Sequence, residues 1–329
     1  MHLTLLVPGL LLPAEILAGA VHGLEAPVLS RLLGRARRGA WVGDGLPGAC
    51  GGTHLPAAAL RKVGADGTAP GAWLCLDPVH WRVAPEGVML DDPAALDLDP
   101  QESAALLDLV RPLFAGWGEL SASSPGRWEM RLQRPLDLAT QALPAAIRQP
   151  VAPRLPGGAD GPAWQRMIAA AQTTLHAHPV NRRRAETGRP TVNSLWPWGQ
   201  GCLAEPVRVA YTEVWSDDPA IAGLCRHAGT PRRAVPECFR PARGRVLAQV
   251  DMLAAPARAF DALAWGEALL ALERDWLAPA LAALRRGACA GLMLVGARLA
   301  GPPECVVWEL GRGDLLRFWR GPRPLAQLR

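Results

Sequence analysis

The alternation of apolar and polar positions divides the chain into strands and helices. Leu3-Thr4-Leu5-Leu6-Val7 is a short apolar run closed by Pro8-Gly9-Leu10, which predicts a buried first strand entering a turn. Ala72 to Leu76 is a second apolar run; Asp77-Pro78 is expected to turn it, with Val79 to Val83 continuing extended and Val88-Met89-Leu90 pairing nearby. Asp99-Pro100-Gln101-Glu102 carries a helix-start signature: a capping carboxylate, a proline at the first helical position and an acid at the third. Leu106, Leu109, Val110, Leu113 and Phe114 then recur at helical spacing. Trp128 to Leu132 alternates as a strand does. A second helix is expected from about Gly161 to His176, with Trp164, Met167, Ile168, Ala171 and Leu175 on its apolar face.

Downstream, Val207 to Trp215 reads as extended, Asp218-Pro219 opens a helix that Gly229 stops, and Val246 to Leu253 is a strand containing Asp251. A long amphipathic helix follows from about Ala257, interrupted at Pro279 and closed by Gly287. Gly291 to Ala297, Cys305 to Leu310 and Leu315 to Trp319 form a final strand series, with Gly311-Arg312-Gly313-Asp314 as a tight turn. The fold class that follows is α/β: a mixed, mostly parallel sheet flanked by helices, with an antiparallel C-terminal edge. The Pro-, Gly- and Gln-rich stretch 133–160 marks an irregular crossing between an N-terminal α/β half (1–132) and a C-terminal α/β half (161–329).

Composition narrows the classes. With 329 residues, half of them hydrophobic, the chain can bury a large core. The net charge of +5 invites nucleic-acid binding, but Lys62 is the only lysine and the arginines are scattered among acids, so nucleic acid is not expected as a partner. The seven cysteines form no C-x-x-C pair, which argues against a zinc cage or a disulfide framework and for reduced, buried thiols. The apolar N-terminal stretch ends in Ala18-Gly19-Ala20, yet no Lys or Arg precedes it, and Pro8, Gly9, Pro13 and Glu15 interrupt it. The expectation is therefore a cytoplasmic protein without a membrane segment. The glycine-rich loop Gly45 to Gly52 is not followed by Lys-Ser or Lys-Thr and is no P-loop, and no G-x-S-x-G elbow occurs. Arg317-Phe318-Trp319-Arg320 reads as a basic-rimmed edge strand in preference to a base-stacking surface.

The densest chemistry lies in His176–Gly201. Arg182, Arg183, Arg184 and Arg189 offer planar forks suited to phosphate or carboxylate, and Gly199-Gln200-Gly201 lets the backbone approach a ligand. Asn193 leads into Ser194-Leu195-Trp196, read as a central buried strand. An arginine-rich helix end is ordinarily a solvated face, and Trp-Pro-Trp ordinarily packs. On the site reading, His178, Asn181, Arg184, Arg189 and Asn193 converge beside Gly199 and Gly201, and Asp77, His80 and Arg82 join them from the strand-turn-strand; equally, Asp77 only sets a turn.

The order His178-Pro179-Val180-Asn181, Arg184, Gly188, Asn193-Ser194-Leu195-Trp196, Trp198-Gly199 and Gly201 resembles a segment of the archaeal-type, cofactor-independent phosphoglycerate mutases. It is still more similar to the bacterial RpfE-type regulatory proteins, with Asp77-Pro78-Val79-His80-Trp81-Arg82 and Arg127-Trp128-Glu129-Met130-Arg131-Leu132 matching two further stretches. The mutase resemblance implies an alkaline-phosphatase-like fold, two divalent metals held by Asp and His, and a serine that takes the phosphoryl group. It also implies an aspartate at the end of the first strand, where this chain has Val7-Pro8-Gly9-Leu10, and late Asp-His pairs, where it has no histidine after His227. The resulting expectation is a non-catalytic, mutase-like regulatory protein with no metal, no cofactor and no catalytic residue. It would bind a small phosphorylated or carboxylated metabolite and act on a regulatory protein partner. A metal-poor mutase or phosphatase is the alternative, followed by arginine-mediated nucleic-acid binding.

Overall fold

A computed structural model describes residues 1–40, 56–203, 207–299 and 304–328. The glycine-rich loop 45–52, including Cys50, lies outside the described residues. Two compact units are present. Unit 1 comprises Met1–His54, Val207–Ile221 and Cys225–Arg329; unit 2 comprises Leu55–Pro206 with Ala222–Leu224. The stretch 133–160 therefore lies inside unit 2 and divides nothing. It is tied into that unit: Ala139 and Gly157 form a bridge, and Asp160 accepts from Arg134 Nη2 at 2.7 Å and from the Asp137 amide at 2.9 Å.

Unit 1 is built on seven strands: β1 (His2–Leu11), β2 (Arg37–Ala40), β9 (Glu213–Trp215), β10 (Arg232–Arg233), β11 (Arg245–Gln249), β12 (Gly291–Arg298) and β13 (Cys305–Gly311). Their order is β10-β9-β11-β1-β12-β13-β2. The first five run parallel, while β13 and β2 add an antiparallel edge. The mixed, mostly parallel α/β sheet with an antiparallel C-terminal edge is thus as expected. Strand β1 sits in the middle, with Leu5 flanked by Ala248 and Leu294. A strand covered on both faces needs apolar residues at consecutive positions, which is why β1 shows no alternation.

Helices α1 (Ala14–Ala20), α2 (Pro27–Arg35), α9 (Ala254–Ala259), α10 (Ala262–Leu272) and α11 (Ala278–Arg286) belong to this unit. Between α10 and α11 the chain makes a π turn over Glu273–Leu277. Pro279 explains it: a proline cannot bond the carbonyl four residues back, and its ring crowds that carbonyl. The freed Asp275 carbonyl instead accepts from the Phe239 amide at 2.9 Å. Gly287 stops α11 in the left-handed region. Where a last strand was expected over Leu315–Trp319, the chain makes a 3-10 turn, Arg312–Leu316, because Asp314 caps it by accepting from the Gly311 amide.

Unit 2 contains a separate sheet the sequence did not announce. Strands β3 (Trp73–Val79), β6 (Gly118–Ser124), β7 (Arg127–Leu132) and β8 (Ser194–Gly201) pair antiparallel in the order β6-β7-β3-β8. A hairpin of β4 (Trp81–Ala84) and β5 (Gly87–Leu90) lies apart. Helices α3 (Ala57–Asp66), α4 (Pro100–Phe114), α5 (Leu143–Ala146), α6 (Gly161–His176) and α7 (Pro179–Glu186) complete the unit. The start of α4 is the expected capping box: Asp99 accepts from the Gln101 and Glu102 amides, each at 2.8 Å, and Glu102 reaches back to the Asp99 amide. The core packs Phe114, Trp117 and Trp164 rings with centroids 5.8 to 5.9 Å apart.

Helix α8 (Pro219–Ala228) starts as the sequence predicted, with Asp218 accepting from the Ala220 and Ile221 amides, and ends at Gly229 in the left-handed region. Among the described cysteines, Cys75, Cys225 and Cys289 are free and buried, whereas Cys202 and Cys238 are exposed, contrary to the expectation of uniformly buried thiols. No helix among the described residues is long and apolar enough to cross a membrane.

Candidate functional site

The segment 176–201 is where the sequence placed an anion pocket, and its polar groups have other partners. Leu175 ends α6, His178 caps α7 through Nδ1, which accepts from the Val180 amide at 3.3 Å, and the chain then folds back at Gly188. That return leaves backbone groups at 190–192 without a regular ladder, and side chains satisfy them. Asn181 is buried: its Nδ2 donates to the Leu175 and Val192 carbonyls at 2.8 and 2.7 Å, and its Oδ1 accepts from the Val192 amide at 2.9 Å. Arg184, 1% exposed, spends all three nitrogens: Nε on the Pro190 carbonyl at 2.7 Å, Nη1 on Glu102 at 2.5 Å and Nη2 on the Leu96 carbonyl. Arg189 shares Glu102 at 3.4 Å and donates to the Asp97 carbonyl, with its side chain partly in solvent.

Asn193 clamps Trp81 from both sides, accepting from its amide at 2.7 Å and donating to its carbonyl at 2.8 Å. His80 Nδ1 is 2.8 Å from the Thr191 carbonyl, and Arg82 pairs with Asp91 at the surface. Among His178, Asn181, Arg184, Arg189 and Asn193 only Arg184 and Arg189 share a side-chain partner, Glu102, and each side-chain nitrogen of the buried Asn181 and Arg184 already bonds to protein. The expectation that Arg184 stays open is corrected: a buried guanidinium needs an acid, and Glu102 on α4 supplies it.

The glycine turn is also packed against protein. Gly199 (φ +63°) and Gly201 (φ +153°) lie against the start of α3; a Cβ on them would come within 2.9 Å of Ala57 Cβ and 2.7 Å of Pro56 Cβ. Trp196 is buried as expected, but β8 is an edge of the antiparallel sheet and not a central strand.

Asp77 belongs to a network that sequence reasoning missed. It does not turn the chain; β3 runs straight through it. Its carboxylate takes Arg61 Nη1 at 2.9 Å on both oxygens, the Trp198 indole at 2.7 Å and the Trp128 amide at 3.2 Å. Arg61 lies over the Trp198 ring and 3.8 Å from Glu129, whose oxygens accept from the Ser123 hydroxyl and amide. One guanidinium faces two buried carboxyls. Burial, with the Asp77 charge beside it, pushes the Glu129 carboxyl up to about 7, against the pull of Arg61 and Ser123. Burial opposes the charge of Arg61, yet Asp77 and Glu129 hold it above the ordinary arginine range. The only signal in the sequence is an acid at Glu129 within the apolar alternation Trp128, Met130, Leu132.

The end of β1 is where the mutase resemblance implies a metal-binding aspartate. Here Gly9, Leu10 and Leu11 are buried. Gly9 (φ +83°) lies directly under the first turn of α9: a Cβ there would be 2.6 Å from the Leu253 carbonyl and 2.8 Å from Ala257 Cβ. The Trp265 indole of α10 donates to the Gly9 carbonyl at 2.8 Å inside the core. Neighbouring strand ends open a small crevice of about 220 Å³, lined by Asp217, Glu237, Gln249, Asp251 and Trp276 among others. Gln249 Nε2 donates to both oxygens of Asp251 at 2.9 Å, and its Oε1 accepts from Ser216 at 2.6 Å. Burial, reinforced by Asp218 and Asp217 and opposed by the Gln249 bond, raises the Asp251 pKa. An amide donor covering both carboxylate oxygens is the wrong partner for a cation. Among the described residues no three His, Cys, Asp or Glu side chains gather to hold a metal ion. The described residues do not fit a two-metal centre.

No protein-family model matches the chain. A 67-residue stretch, 20% of the chain, is 47% identical to the 2,3-bisphosphoglycerate-independent phosphoglycerate mutase of Methanosarcina mazei, of which it spans 16%. A 116-residue stretch is 28% identical to the corresponding mutase of Methanothrix thermoacetophila, covering 35% of this chain and 29% of that protein. The chain is mutase-like. The likeness in sequence spans less than a third of these relatives' length. In structure, 99% of the chain superposes on 91% of the PH0037 protein from Pyrococcus horikoshii with a TM-score of 0.54 at 12% identity, which speaks to the fold alone. A cofactor-independent phosphoglycerate mutase from Thermoplasma acidophilum superposes with a TM-score of 0.46 at 14% identity, covering 99% of this chain and 93% of that one.

Proposed function

We propose that this chain is a non-catalytic, mutase-like protein that acts by binding, as the resemblance to RpfE-type regulatory proteins implies. One observation carries the reading: the end of β1 is occupied by Gly9, the α9 turn and the Trp265 indole, so no carboxylate can be presented there. Without that ligand the two-metal clamp on attacking and leaving oxygens has no first anchor. The ligand position that this fold favours is the crevice at the carboxyl ends of the parallel strands. Its acidic lining disfavours phosphate and suits a small ligand offering hydroxyl or ammonium donors to Asp217, Glu237 and Asp251. An anionic metabolite would depend on the exposed arginines Arg182, Arg183 and Arg189, since Arg184 is committed to Glu102.

The test is conversion of 3-phosphoglycerate to 2-phosphoglycerate, read by enolase-coupled absorbance with Mn²⁺ and Mg²⁺ added. The reading expects no conversion above a protein-free control. Metal-dependent turnover would overturn it and favour the mutase alternative.

A further inference from the structure

Unit 1 carries an exposed apolar tip and, on the same C-terminal segment, an apolar groove. The tip is Leu316, Phe318 and Trp319, with 73%, 82% and 69% of their surfaces exposed. Monomeric surfaces seldom gather three large apolar side chains in four residues without a use. The tip is held in shape. Phe318 and Trp319 meet edge to face with centroids 5.3 Å apart, the Arg317 and Arg320 amides bond back to the Asp314 and Arg317 carbonyls, and the Arg317 guanidinium pairs with Asp314 at 3.0 Å. Little ordering is therefore left to occur on binding.

The groove has a volume of about 630 Å³ and is lined by Val21, Leu24, Pro322 and Pro324, with Glu25 and Arg31 among its charged residues. The tail from Gly321 is fastened to α2: the Arg323 amide donates to the Ser30 carbonyl at 2.9 Å, and Gly34 packs against the Gly321 carbonyl with no room for a Cβ. Tip and groove thus sit on one frame, only a few residues apart.

We propose that this face is an interface with a second copy of the chain, the Phe318–Trp319 tip of each copy seated in the groove of the other. The juxtaposition suits a two-fold axis, because an isologous contact needs a surface that carries both halves of its own complement. Charge fits as well. Arg320, exposed beside the tip, meets Glu25 of the groove, and Arg31 meets the indole face of Trp319 as a cation against a ring. Area sets the strength. Each aromatic side chain can bury about 150–250 Å². Two tips and the groove walls they cover remove on the order of 800 Å², the size of a weak, reversible contact. A membrane surface would account for the aromatic tip but leaves the adjoining groove without a role.

Sedimentation equilibrium of the full chain between about 1 and 100 µM tests this, the range in which interfaces near the lower size limit hold. The wild type should dimerise reversibly across this range. Phe318→Ser with Trp319→Ser should run as a folded monomer with wild-type circular dichroism, its melting temperature lowered only by the lost association, since both side chains are in solvent in the single chain. Ala326→Trp, which fills the groove, should also be monomeric. An equimolar mixture of the two variants, with one intact seat, should associate more strongly than either variant alone and more weakly than the wild type. A monomeric wild type, or a dimer indifferent to both variants, overturns the proposal. So does a monomer that co-sediments with phosphatidylserine vesicles through Phe318 and Trp319, which would assign the tip to a membrane.

Discussion

Replacing Arg184 by Ala separates the two accounts of the 176–201 segment. The side chain is 1% exposed, and the substitution deletes a 2.5 Å ion pair with Glu102 and two donors to the Leu96 and Pro190 carbonyls. Removing one partner of a buried ion pair costs about 3–5 kcal/mol, because the other charge is left behind. Each stranded carbonyl adds about 1–3 kcal/mol if water cannot reach it. Two things offset this: Glu102 keeps Arg189 at 3.4 Å and its capping bond to Asp99, and the space left by a long side chain admits water. A net loss of about 4 kcal/mol follows, or on the order of 10 °C in Tm for a domain of this size. Urea unfolding followed by tryptophan fluorescence reads it, since Trp164 and Trp128 are buried in the same unit. The double variant Arg184→Ala, Glu102→Ala should be less damaged than the sum of the single variants, because the stranded charge is gone. If Arg184→Ala instead costs under about 1 kcal/mol, the buried-pair magnitude fails. A simultaneous loss of binding to inorganic phosphate would show that the guanidinium is open in solution and that the anion-pocket account is right.

Gly9→Ala should destabilise unit 1 by at least about 2 kcal/mol, because it forces a side chain at φ +83° into the Leu253 carbonyl; a thermal melt equal to wild type would show that the end of β1 is not packed as described. The Glu129 carboxyl, raised by burial and by Asp77 from 4.5 to about 7, makes stability depend on pH. Its folded-state value lies above the unfolded one, so its contribution is fully present below pH 4.5 and is lost as pH rises through 7. At about 1.4 kcal/mol per pH unit the ceiling is ~3 kcal/mol. Glu129→Gln should flatten urea midpoints across that window, and an unchanged slope would assign the pH dependence to another group.

Local signals in the sequence carried over well, and long-range ones did not. The Asp99 capping box, the apolar face of α6, the Gly229 and Gly287 stops and the double-sided burial of β1 are each written within a few residues. Asp77-Pro78 misled because proline is expected to end a strand. At Pro78, however, β3 pairs only with β8, since β7 accompanies it only from Trp73 to Cys75, and a strand with one free side tolerates a proline. Arg184 misled because its acid lies 82 positions away, on a helix that nothing in the arginine-rich segment points to. The Arg61–Asp77–Glu129 network was hidden for the same reason. The expected strand over Leu315–Trp319 shows the right side chains for pairing, but Asp314 turns the backbone and leaves the aromatics in solvent.

The central claim is that the end of β1 is closed by packing where a mutase would present a metal ligand. Titration of the purified full chain with Mn²⁺, counting bound ion by electron paramagnetic resonance, tests it most directly. The account predicts no stoichiometric tight site at micromolar metal. Two Mn²⁺ ions held tightly per chain would contradict it.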